Sequence, residues 1–224
     1  LRLFILIFFN LIFWLFLRGK ATVENTGDLL DIMRDIVLTA NFDDKDRFKQ
    51  IVMRAKAGKE SGLIPGGHSV VMSRLNAHFH TEGWFDEMQG GVQFLFFLRD
   101  LLARIETDWD SVLAALNGIR EHLLTKNGLI VNATVEADNW GQVEPALADF
   151  IDSLPVGSGA LQTWEPTLLS GAEGLTLPAQ VNYVGQGANL FDLGYTLHGS
   201  AHVIVKSLSR GYLWNRVRLQ GGAY

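Results

Sequence analysis

Three residues in the first half of the chain have the chemistry of metal ligands. His78, His80 and Glu82 lie close together in the sequence, and imidazole nitrogens and carboxylate oxygens are common zinc ligands. On an α-helix, however, residues i and i+2 point to different sides, and the segment before Gly83 has a helical pattern. We therefore do not expect these side chains to share an ion. Neither His-Glu-x-x-His nor His-x-x-Glu-His occurs in the sequence, so it contains no zinc-peptidase motif.

The last residues of the sequence carry side chains suited to binding a peptide. Arg216 and Arg218 alternate, and Tyr224 follows a Gly-Gly-Ala run. At the start of an exposed strand, a guanidinium and a phenol can both donate hydrogen bonds to a peptide carbonyl. Two surface arginines beside an edge-strand tyrosine would have the same spacing. The residues alone leave both interpretations open.

The neighbouring carboxylates Asp86 and Glu87 are a candidate for acid–base chemistry. Adjacent side chains on a helix diverge, so the two acids are not expected to face one substrate atom. We interpret them as solvated or helix-capping acids.

The composition narrows the class of protein. The chain has 224 residues, of which 48% are hydrophobic and 19% charged, enough to bury a core and unlike a disordered tail. A net charge of −5 provides no basic field for the phosphates of a nucleic acid. The absence of cysteine excludes disulfides and thiolate zinc sites.

Apolar residues at helical spacing predict helices through most of the chain. Thr26 is expected to cap the first helix, Asp43 or Asp44 the second, and Thr107 with Asp110 to form a capping box further on. Another helix is predicted from His68 to about His80. The apolar stripes behind these predictions are Leu29, Ile32, Met33 and Ile36; Phe48, Ile51, Val52 and Ala55; Phe94, Phe97, Leu98, Leu101, Leu102 and Ile105; Val112, Leu116, Ile119 and Leu123; and Val143, Leu147, Phe150 and Ile151.

Strands are predicted at three places. The first runs over 129–135, where apolar residues alternate after an Asn-Gly turn, and the others over 179–184 and 219–224. Between the first two, the Gly-, Ser- and Pro-rich residues 155–178 indicate a linker. A largely buried helix is expected over 199–216. This mixture predicts an α+β fold, with a second unit truncated in mid-strand.

The first 17 residues are almost wholly apolar, interrupted by Arg2 and Asn10. A membrane-spanning helix needs roughly 17–25 such residues, so a short anchor fits the length. Alternatively, only the last few form a buried strand that runs into Arg18, and the rest is foreign sequence. This leader does not decide the function.

Several stretches resemble the presequence proteases, the organellar members of the pitrilysin/insulinase-type inverted zincins. They occur in the family's order and cover about residues 18–224. The stretches are Arg47-Phe48-Lys49-Gln50; Gly66-Gly67-His68; Gly83-Trp84-Phe85-Asp86-Glu87 with Gly90-Gly91; Asn127 to Thr134; Gln180 to Gly185; and Leu213 to Arg218 running into Gly221-Gly222-Ala223-Tyr224.

This resemblance implies an enzyme of two halves, each with two α+β domains whose helices pack on a mostly antiparallel sheet. Residues 18–154 would be the latter part of the third domain, 155–178 a linker, and 179–224 the truncated start of the fourth. The family binds zinc through His-x-x-Glu-His and a distal Glu of its first domain. The chain is therefore expected to be a fragment that is inactive without the N-terminal catalytic half.

The resemblance also assigns roles to two residues. Arg218 and Tyr224 match a family arginine and tyrosine that bind the substrate backbone near the scissile carbonyl, whereas His68 matches a position for which we expect a structural role. The family degrades cleaved targeting presequences and other short unstructured peptides in the mitochondrial matrix or plastid stroma. The alternatives are a noncatalytic subunit or structural relative of the same superfamily, and a membrane-anchored interaction domain that uses residues 1–17.

Overall fold

The computed structural model describes residues 6–8, 10–12, 15–157 and 165–223, and these form two compact units, Leu1–Gly185 and Gln186–Tyr224. Helices dominate both. They are α1 (Thr26–Leu38), α2 (Lys45–Gly62), α3 (Gly67–Phe79), α4 (Thr81–Gly90), α5 (Val92–Thr107), α6 (Trp109–Leu123), α7 (Trp140–Ser153) and α8 (Ser200–Ser207), with 3₁₀ turns at Val23–Asn25, Lys126–Gly128 and Ala137–Asn139 and π-helical segments at Leu208–Tyr212 and Trp214–Gln220.

Side-chain caps explain where several helices begin. Asp44 accepts a hydrogen bond from the Arg47 amide at 2.8 Å and starts α2, which confirms one of the two predicted caps. Asp108 starts α6 by accepting from the Ser111 amide at 3.3 Å. The predicted capping box with Thr107 is wrong, because that hydroxyl bonds to the Ala103 carbonyl at the end of α5, at 3.0 Å.

Two apolar clusters hold the first unit together. One joins α1 to α7 and the residue that follows α7, and the other joins α2, α5 and α6. Full burial of such a side chain contributes roughly 1.5–3 kcal/mol. The buried residues are Leu30, Val37, Phe150 and Leu154 in the first cluster, and Val52, Leu98, Ile105 and Val112 in the second.

The predicted α+β class is wrong for the part of the chain that the structure describes. Within that part, the strands are β1 (Leu6–Phe8) and β2 (Asn10–Ile12), which pair antiparallel in the leader. Residues 129–135 form no strand: apart from the hydrogen bond that the Leu129 amide donates to the Lys126 carbonyl, no backbone hydrogen bond joins this stretch to other described residues. Alternating hydrophobicity predicts which face of a strand is buried, but a strand also needs a neighbour for its amides and carbonyls.

The C-terminal part of the chain, residues 179–223, also departs from the prediction. Residues 179–184 are irregular, and the stretch expected to be a strand from 219 begins inside the π-helical segment Trp214–Gln220. The helix expected to be buried does form as α8 and its π-helical continuation, yet none of its residues is buried. Over the described ranges, no helix combines the length and apolar character needed to span a membrane.

Candidate functional site

The two predicted substrate-binding residues fall at the end of the second unit. Arg218 lies in the π-helical segment, with its guanidinium carbon 4.8 Å from the centre of the Trp214 ring. Tyr224 lies outside the described residues. The structure therefore neither joins nor separates this pair, and its role stays a prediction.

The His78, His80 and Glu82 group serves the junction between two helices. The Nδ1 atom of His80 accepts a hydrogen bond from the Gly83 amide at 2.9 Å and so caps α4. The His78 ring instead lies against Phe79, with ring centres 6.4 Å apart. In the described part of the chain, no three His, Cys, Asp or Glu side chains are grouped to hold a metal ion. These residues do not fit a zinc centre.

A buried charged cluster lies beside this junction, where α3, α4 and the segment after residue 165 meet. Arg74 and Glu87 are 8% and 1% exposed, and Nη1 of Arg74 donates to Oε1 of Glu87 at 3.0 Å. The other side of the guanidinium forms a two-point pair with Glu173, at 2.7 Å from Nε and 2.5 Å from Nη2. Such forked pairs fix geometry as well as charge.

Glu87 also fixes the turn between α4 and α5. Its Oε1 accepts from the Val92 and Gln93 amides at 2.6 and 3.1 Å, which are free donors at the start of α5. Its Oε2 accepts from the Ser73 hydroxyl at 2.8 Å. Glycine is needed at 91, because an added Cβ would lie 2.0 Å from Oε2 of Glu87.

The pairing of Arg74 with Glu173 changes the pKa of both groups. Hydrogen bonding to Glu173, more than the other interactions, raises the pKa of the Arg74 guanidinium. The same bond holds the pKa of the Glu173 carboxyl below its usual value. Both groups therefore stay charged across the neutral range, so Arg74 and Glu173 form a fixed ion pair.

A cleft of about 290 Å³ opens between α3 and α4. Hydroxyl, amide and imidazole groups with one carboxylate can bind a polar ligand. His68, predicted to be structural, lies in its wall. The cleft is lined by His68, Ser69, Met72, Ser73, Asn76, Gly83 and Asp86.

The sequence predicted Glu87 to be a solvated or helix-capping acid. The capping role is confirmed, because Glu87 accepts from the first amides of α5, but its burial was not predicted. The signal that could have located it is the Gly90-Gly91 pair just after it, since two glycines in succession often mark a close approach of backbone to another group.

Two family models match the chain. The first, which describes the associated domain of the peptidases of subfamily M-16C, matches residues 10–101. The second, described as "PreP C-terminal domain", matches residues 172–224. The presequence protease 1 of Arabidopsis thaliana, a chloroplastic/mitochondrial protein, is 40% identical over 208 residues, which are 92% of this chain and 19% of that protein. Both models and this relative show that the chain is similar to presequence proteases over most of its length.

More distant relatives align over a similar share of this chain. The mitochondrial presequence protease of Saccharomyces cerevisiae is 27% identical over 219 residues, 92% of this chain and 22% of its own length. Protein HypA of Clostridium perfringens is 24% identical over 205 residues, 92% of this chain and 21% of its own length. The chain spans about one fifth of the length of these relatives.

These comparisons confirm the resemblance to presequence proteases that the short motifs indicated. The names of the Arabidopsis and yeast relatives also agree with the predicted mitochondrial or plastid location.

Proposed function

We propose that this chain is the substrate-binding, C-terminal part of a zinc endopeptidase that degrades cleaved presequences and other short unstructured peptides. The observation that carries the proposal is the 40% identity to the Arabidopsis presequence protease along 92% of the chain. Identity of this extent in one continuous alignment supports a shared role for the whole protein. The setting we infer is the mitochondrial matrix or the plastid stroma.

In this proposal, Arg218 and Tyr224 hold the backbone of the peptide. A guanidinium and a phenol donate hydrogen bonds but differ in charge, so Arg218 also favours negative charge on the carbonyl oxygen under attack. A donor placed at such an oxygen contributes roughly 2.7–4 kcal/mol to transition-state stabilisation. The packing of Arg218 against the Trp214 ring restricts its rotamers, so less entropy is lost when it binds.

We assign the zinc ion to the N-terminal half of the longer protein. The described residues of this chain offer no ligand set for it, and the relatives are about five times longer than the aligned region. The residues of this chain would bind and orient the peptide, and the other half would supply the metal. The chain alone is then expected to bind peptides without cutting them.

The test uses the full-length protein that contains this chain, with a quenched fluorescent peptide of presequence composition as substrate. We expect hydrolysis that is abolished by a chelator and restored by zinc. A full-length protein that loads no zinc and cuts none of these peptides would instead be a noncatalytic relative of the superfamily, and the proposal would be rejected.

A further inference from the structure

An extended segment lies along one helix without forming regular structure of its own. Residues 165–185 contain no helix or strand, yet they contact α3 at several points. The Leu169 amide donates to the Ala77 carbonyl at 3.2 Å, near the end of α3. Glu173 pairs with Arg74 one turn earlier. Between Leu169 and Tyr183 the segment thus runs opposite in direction to α3.

The second attachment is an aromatic side chain at the start of α3. The Tyr183 hydroxyl donates to the Ile64 carbonyl at 2.6 Å, and the ring lies on Gly67. A Cβ added at Gly67 would be 2.2 Å from Cδ2 of Tyr183, so only glycine leaves room for the ring. Gly185 approaches Val71 in the same manner, since an added Cβ would lie 2.2 Å from its Cγ1.

These contacts use one stripe of α3. Positions 67, 71 and 74 are spaced i, i+4 and i+7, which places them on one face of a helix. The opposite partner residues, Glu173 and Tyr183, belong to the stretch matched by the C-terminal domain model, whereas α3 belongs to the stretch matched by the peptidase-associated model. The stripe therefore connects the two family modules.

We propose that this stripe of α3 is a docking site that fixes the first residues of the C-terminal module, with Arg74 and Gly67 as positioning residues. Arg74 holds the segment by charge and is itself held by the buried Glu87. Gly67 leaves the space in which the Tyr183 ring packs. Both attachments restrict the same chain segment. If one is lost, the other must order more residues by itself, so each attachment stabilises the other.

The inference also rests on the proposed function in one respect. Residue 185 is followed directly by the unit that contains Arg218, so ordering of the segment restrains the chain at the point where that unit begins. In the full-length protein, Tyr183→Phe is therefore expected to raise KM for a peptide severalfold with a smaller change in kcat. Equal KM for wild type and variant would remove this functional extension.

The docking itself is tested on the 224-residue chain by amide hydrogen exchange, without any peptide. The reporter is the Leu169 amide. Gly67→Ala and Tyr183→Ala are each expected to lower its protection factor about tenfold, because overpacking or loss of the ring releases the segment. In the double variant the protection factor of the Leu169 amide should fall no further than in either single variant. Once the Tyr183 ring is removed, the methyl group added at 67 no longer clashes with it. Gly62→Ala is the control, because a Cβ there meets no atom within 4 Å.

A second reporter separates local release from general unfolding. The Leu98 amide lies in the buried cluster of α5 and should keep its protection in Tyr183→Ala. The proposal is overturned if Tyr183→Ala leaves Leu169 protected, lowers both amides equally, or adds its full effect to that of Gly67→Ala. Because no peptide is cut in this experiment, its outcome is independent of the proposed peptidase activity.

Discussion

Removing the buried carboxylate of Glu87 is expected to be among the most destabilising single changes in the first unit. The side chain is 1% exposed. It accepts hydrogen bonds from the Arg74 guanidinium, the Ser73 hydroxyl and the backbone amides of Val92 and Gln93. Glu87→Ala removes the acceptor that all four donors share.

The magnitude follows from the kinds of interaction that the substitution removes. Removing one member of a buried ion pair costs about 3–5 kcal/mol, and removing a helix cap costs about 0.5–2 kcal/mol. These costs overlap rather than add, because Arg74 keeps its two-point pair with Glu173. We therefore expect Glu87→Ala to lower the free energy of unfolding by about 3–5 kcal/mol. Glu87→Gln retains one acceptor and should cost about 1–3 kcal/mol.

Urea unfolding followed by far-ultraviolet circular dichroism measures both changes. Glu121→Ala is the matched control, since this glutamate is exposed on α6 and its removal should shift the free energy by less than about 0.5 kcal/mol. The reasoning about the buried cluster fails if Glu87→Ala unfolds within about 1 kcal/mol of the wild type.

Three further predictions use the same unfolding assay. Gly91→Ala should lower the free energy of unfolding by about 1–3 kcal/mol, because its Cβ would lie 2.0 Å from the buried Glu87 carboxylate. Gly90→Ala is the control and should leave the free energy unchanged, since the nearest atom to its Cβ would be 3.7 Å away. Equal effects of the two changes would contradict this. Ile105→Ala, at 0% exposure, should cost about 2–5 kcal/mol and Ile119→Ala, at 54%, less than about 1; a reversed order would refute the assigned core. The Glu173 carboxyl has a lowered pKa in the fold, so its contribution to the free energy of unfolding is present above its ordinary pKa and is lost as the pH falls through the lowered value. The difference in free energy of unfolding between wild type and Glu173→Gln should therefore become smaller on acidification. A difference that becomes larger would show that the sign is wrong.

The sequence predicted the helices of the first unit well because their apolar stripes repeat over several turns. It was less accurate about which face is buried. In α1, Leu30 and Val37 lie in the core, whereas the predicted Ile32 and Ile36 are 59% and 50% exposed. Both choices satisfy helical spacing, and only the position of α7 decides between them.

The strands could not be predicted in the same way. Residues 129–135 have the alternation of a half-buried strand, but periodicity says nothing about whether a partner strand lies alongside. The burial expected for the helix from 199 failed for a related reason: Val203 and Val205 are 70% and 64% exposed. Apolar composition favours burial only where another surface is present to cover it.

The candidate site, too, could be predicted from the sequence only in part. The resemblance to presequence proteases predicted roles for Arg218 and Tyr224, because short motifs can be compared without knowledge of the fold, and these roles stay predictions. The cluster around Arg74 was not predicted, since Glu173 is 99 positions away in the chain. Contacts at that separation depend on how the chain folds back, which local patterns do not encode.

The account is tested most directly by the turnover of a presequence peptide by the full-length protein carrying Arg218→Ala. Wild type, this variant and Arg210→Ala, an exposed arginine of the preceding helical segment, are compared for kcat/KM and bound zinc. We predict a loss of about 10²–10³-fold for Arg218→Ala, no more than a twofold change for the control (about 0.4 kcal/mol), and equal zinc in all three. Unchanged turnover in Arg218→Ala would contradict the claim that this chain provides the substrate-binding side of the enzyme.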